Sequence, residues 1–122
     1  MHRKVQNGWI QLGDVVDGSG ANSIAALEEG SVRDESFSVS FDDQDGGIVG
    51  FCNSGPHSNG SQFFITLGPC PWMDYKFVGI GKVIHGEKVM KAIKEIETRN
   101  QVPENKIEII DAGVLLDTFG KM

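Results

Sequence analysis

The chain has 122 residues, 39% of them hydrophobic and 16 of them glycine, with a formal net charge of −6. That length suits one domain able to bury about two thirds of its unfolded surface. The acidic balance argues against nucleic acid and anionic membrane as partners, and no apolar run reaches bilayer-spanning length. Many glycines between short apolar runs point to a turn-rich, mainly β fold.

Residues 1–12 begin as strand, with Arg3 and Val5 on one face and Lys4 on the other. Asn7-Gly8 is a turn or bulge signal, after which Trp9, Ile10, Gln11 and Leu12 resume the strand. The basic start Met1-His2-Arg3-Lys4 leads into a polar turn, not an apolar core, so it does not read as a signal peptide. Residues 13–22 form a Gly-rich loop; Gly18-Ser19-Gly20 lacks the full phosphate-binding fingerprint. Within 23–35, Ala25-Ala26-Leu27-Glu28-Glu29 are helix formers stopped by Gly30. Ser36 to Phe41 reads as a strand with Phe37, Val39 and Phe41 on one face, followed by an acidic turn over 42–47. Asp42, Asp43 and Asp45 lack EF-hand spacing and read as a solvated loop, so no metal or cofactor is expected.

Gly47 to Cys52 is another strand. Residues 53–60, Asn-Ser-Gly-Pro-His-Ser-Asn-Gly, hold turn formers at nearly every position. From Gln62 the chemistry flips to strand, with Gln62, Phe64 and Thr66 on one face and Phe63, Ile65 and Leu67 on the other. Residues 68–71 form a loop leading to Trp72-Met73-Asp74, and Phe77 to His85 reads as a Gly-broken strand. The one clear helix spans 87–97, with Val89, Met90, Ile93 and Ile96 at helical spacing. A turn around Pro103 and a last strand over 106–116 close the chain. Cys52 and Cys70 have no metal-like spacing and read as free thiols, which fits a reducing, cytoplasmic setting.

The run Asn53-x-Gly55-Pro56-x-x-Asn59-Gly60-Ser61-Gln62-Phe63-Phe64-Ile65-Thr66 resembles the signature of the cyclophilins, the peptidyl-prolyl cis-trans isomerases. Two further pieces, Pro71 to Gly86 and His2 to Asp14, fall at the family's spacing. Val5-Gln6-Asn7-Gly8-Trp9 resembles the divergent isomerase-like 6 group of that family. The resemblance implies an antiparallel β-barrel and isomerisation of Xaa-Pro bonds in peptides and proteins, assisting folding. It implies Arg3 as the catalytic arginine. Gln11, Asn53 and Gln62 would bind substrate backbone, Phe64 would floor the proline pocket, Met73 would form its wall, and Trp72 its border. Partners would be proline-containing peptides and cyclosporin, with the chain acting as a monomer.

Departures accompany the match. Gly8 and Trp9 stand where the family has Phe and Met, Phe77 where it often has His, and Lys4 where an apolar residue would face the interior. An unpaired ammonium there would be costly. The chain starts at the family's arginine-bearing strand, so the single domain over 1–122 should be an open or incomplete barrel, with Arg3 on a frayed terminus. Three readings stand at this point: an isomerase, a proline-binding module with weak or no turnover, and a product whose fold is incomplete.

Overall fold

The computed structural model describes residues 1–26 and 30–115. Five antiparallel strands form one sheet: β1 (Arg3–Val5), β2 (Trp9–Leu12), β3 (Ile48–Phe51), β4 (Phe63–Thr66) and β5 (Gly79–Lys82), in the order β1-β2-β4-β3-β5. Among the described residues this sheet does not close into a barrel, as expected. Asn7, at φ 58°, and Gly8 turn β1 into β2, and Gly8 N donates to Val5 O. Two layers pack on the sheet. On one face Phe41, Ile48, Phe64, Cys70 and Met73 form a buried cluster. On the other, Ile10, Leu12 and Leu67 pack against Met90 and Ile93 of helix α1 (Glu87–Lys94).

The helix is shorter than the 87–97 expected from its apolar stripe. Its end tightens into i→i−3 bonds, with Glu95 N donating to Ala92 O and Ile96 N to Ile93 O. The carbonyls of Lys94 and Ile96 are taken by the Lys4 ammonium, at 2.7 and 2.6 Å. Lys4 does face the interior, being only 1% exposed, but it is not unpaired. It sits at the negative end of the helix, where a cation is favoured.

Two expected strands are not strands. Ser36 to Phe41 pairs with nothing as a ladder, because side chains take its backbone groups: Ser38 N donates to Ser36 Oγ, and Phe41 N donates to Asp74 Oδ1. The segment after 106 is irregular as far as it is described, with Ile110 93% exposed. An alternating pattern without a neighbouring strand has no ladder to join. Residue 116, the end of that expected strand, and residues 27–29 of the expected helix formers lie outside the described residues. In place of a simple turn at 99–105, β6 (Thr98–Arg99) and β7 (Val102–Pro103) make a small hairpin. Asn100 and Gln101 bridge it with φ of 51° and 67°. β5 is shorter than Phe77–His85, and its pairing with β3 shifts register between Val49 and Gly50.

Candidate functional site

The pairing register lines up three of the residues singled out from sequence. Arg3 lies opposite Gln11 on β2, Gln11 opposite Phe64 on β4, and Phe64 opposite Gly50 on β3. Directly opposed residues project from the same face, with Cβ atoms about 5 Å apart. A guanidinium, an amide and a phenyl ring therefore stand in a row across the sheet. Gly50 completes the row by having no side chain. A Cβ there would come 2.6 Å from Phe64 Cζ, so glycine lets the ring lie over the strand.

Phe64 packs between Phe41, with ring centroids 5.2 Å apart, and Phe77, 5.4 Å apart and nearly edge-on. Met73 belongs to the same cluster, carried in by the 3-10 turn Pro71–Met73. Trp9, Cys52 and Phe77 pack against the cluster from outside. As a result Phe64 is 2% exposed and Met73 3%. Phe64 and Met73, expected as the floor and wall of a ring pocket, lie within a buried cluster against which Trp9, Cys52 and Phe77 pack. Trp72 is not part of this cluster and remains 57% exposed.

The polar groups satisfy one another. Arg3 holds its guanidinium 5.4 Å from the centre of the Trp9 ring, and its Nε donates to Gln101 Oε1 at 2.8 Å. Trp9 Nε1 donates to Gln11 Oε1 at 3.3 Å, and Gln11 Nε2 to Gln62 Oε1 at 3.2 Å. Gln62, buried, spends its own amide hydrogens on the carbonyls of Gly20 and Asn22. A cavity of about 230 Å³ opens beside this chain, lined by Gln11, Gln62, Asn53, Cys52 and three serines. Asn53 is both a turn cap and a tether: Oδ1 accepts from Gly55 N, and Nδ2 donates to Lys76 O. Burial pushes the Cys52 thiol up to about 12, against a smaller pull downward from Arg3.

So the structure brings Arg3, Gln11, Gln62, Phe64 and Met73 to one face, with Asn53 at the rim of the adjoining cavity. Sequence reasoning missed Gln101, which touches Arg3 from a hairpin with no glycine to announce its positive φ. Trp9, noted only as a departure from the family, packs against the buried cluster that holds Phe64 and Met73.

Comparison with known proteins now adds to this geometry. The family described as cyclophilin type peptidyl-prolyl cis-trans isomerase/CLD matches residues 1–114. The chain belongs to the cyclophilin family. It is 45% identical over 112 residues to a human protein named "Probable inactive peptidyl-prolyl cis-trans isomerase-like 6", a match covering 92% of this chain and 35% of that protein. The mouse protein of the same name is 42% identical over 114 residues, covering 93% of this chain and 36% of the relative. The peptidyl-prolyl cis-trans isomerase cypE of Dictyostelium discoideum is 38% identical over 112 residues, covering 91% of this chain and 69% of that protein. The chain thus spans about a third of the length of the human and mouse relatives. The isomerase-like 6 resemblance read from Val5 to Trp9 agrees with the names of the human and mouse relatives.

Proposed function

We propose that this cyclophilin chain binds Xaa-Pro segments of peptides and partly folded proteins and turns them over slowly, as a peptidyl-prolyl cis-trans isomerase. The carrying observation is the row Arg3, Gln11, Phe64 set by strand register. Rotation about a prolyl amide faces a barrier of about 20 kcal/mol, because resonance must be broken. A donor that stabilises the pyramidal prolyl nitrogen lowers that barrier, and each 1.4 kcal/mol gives about tenfold. Arg3 is permanently charged, and with Nε held by Gln101 its terminal N–H groups remain to serve the nitrogen. Gln11 and Asn53 would anchor the flanking backbone, Phe64 and Met73 would seat the ring, and Trp72 would border it. No covalent bond forms or breaks, so the step calls for no nucleophile. Clients would be proline-containing chains and cyclosporin a competing ligand, met by a monomer in the cytoplasm.

A second reading is a proline-binding module without turnover. It is favoured by the near-complete burial of Phe64 and Met73, and the names of the human and mouse relatives agree with it. A protease-coupled assay on a peptide with one Xaa-Pro bond separates the two. Acceleration over the spontaneous rate that disappears in Arg3→Ala supports the isomerase. Peptide binding with no acceleration supports the module.

A further inference from the structure

We infer that Trp9 is a built-in occupant of the ring pocket, so that a proline-containing chain binds only after the indole leaves. The inference rests on the reading of this face as a proline site. Indole, like a prolyl ring, offers a compact apolar ring body, and it adds a single N–H donor. Here the body packs against the Phe64 and Met73 cluster, and the donor is spent on Gln11. The Arg3 guanidinium lies over the ring. Gln11, Arg3 and the ring-seating cluster, among the groups that would recognise substrate, are therefore each engaged by one internal side chain.

Two features make this a displaceable plug and not fixed core. Trp9 is only half-buried, whereas the cluster it packs against is fully so. Its hydrogen bond, at 3.3 Å, lies beyond the usual range for N–H···O, and its cation–π partner Arg3 is itself only half-buried. A site open for about 1% of the time binds with its apparent affinity cut about 100-fold. Trp9 would then set both what the pocket admits and how slowly it turns over.

The test is a titration with a tetrapeptide carrying a central Ala-Pro bond, followed through the indole N–H signals by two-dimensional NMR. The Trp9 signal is assigned by its loss in Trp9→Phe. In the parent, saturation should move that signal and speed its exchange with solvent. Trp9→Ala should bind the peptide at least tenfold more tightly, about 1.4 kcal/mol. Peptide bound by the parent with the Trp9 signal still protected, and no tighter in Trp9→Ala, overturns the plug while leaving the proline site standing. Binding by neither protein overturns both. Should Trp9→Ala fail to fold, the indole signal in the parent decides alone.

Discussion

Replacing Lys4 by Met tests what holds the arginine-bearing strand to the rest of the fold. Lys4 is 1% exposed, and its ammonium donates to Lys94 O and Ile96 O at the end of α1. Methionine keeps the length and apolar bulk of the stem but leaves both carbonyls without a donor. Each such part-buried acceptor costs about 1–2 kcal/mol, the lower part of the range for buried groups. Against this, the variant no longer buries an ammonium, a relief of several kcal/mol at most. Because the carbonyls sit at the negative end of a helix, we expect the lost bonds to win, by about 2–3 kcal/mol. At about 2.1 cal/mol/K of unfolding entropy per residue, that lowers the melting temperature by about 10 °C. Thermal and urea unfolding followed by circular dichroism measure it. The sign with pH also follows. Burial pushes the Lys4 pKa down, with Glu97 pulling it up less strongly. The folded state then binds fewer protons than the unfolded chain in the window below the ordinary lysine value, so stability rises with pH across that window. Lys4→Met should flatten the rise. A variant as stable as its parent refutes the clasp, since desolvation would then outweigh both bonds.

Other outcomes follow from single groups. With its thiol pushed up to about 12, Cys52 should resist iodoacetamide at pH 8 in the folded protein and react once urea is added; equal rates would mean the thiol is not shielded. The same shift makes stability fall as pH climbs above the ordinary thiol value, because only the unfolded chain then releases this proton. Asp14 carries the 14–22 loop. Burial alone would raise its carboxyl pKa, but the backbone amides of Asp17, Val16 and Asn22 and the Asn22 side chain outweigh it and hold it well below the usual range. Its contribution is present at neutral pH and lost as pH falls through the lowered value, so Asp14→Asn should weaken the acid dependence of unfolding; an unchanged profile counts against the loop clasp.

What the sequence made legible was local. Alternation placed Gln62, Phe64 and Thr66 on one face, and all three are buried. The Asn7-Gly8 turn and the two strands beside it sit where their residue types put them. The failures share one cause, competition between local pattern and long-range partners. Val39 and Phe41 alternate properly, but serines and Asp74 take the backbone before a strand can. Ile107 and Ile109 alternate properly too, but no described strand pairs with them, and the Ile107 carbonyl is taken by the Met1 ammonium instead. Lys4 looked like a defect because nothing in its own neighbourhood could pair it. Its acceptors lie 90 and 92 residues away.

That long-range pairing bears on the two causes by which turnover could be lost. A frayed terminus would misplace Arg3, and catalysis tolerates little misplacement. The structure gives β1 several ties: His2 N to Gln11 O, Lys4 N to Gln101 O, the Lys4 ammonium, and Arg3 Nε to Gln101 Oε1. The donor side of the site is thus supported by α1 and by the β6–β7 hairpin. On the inferred plug, any obstruction lies on the apolar side, where Trp9 and Phe77 pack against the cluster of Phe64 and Met73. The proposed turnover should therefore respond to Trp9→Ala more than to any change that stiffens the arginine strand. If Gln101→Ala lowers kcat while Trp9→Ala leaves peptide affinity unchanged, the order is reversed, and the placement of Arg3 is what limits the reaction.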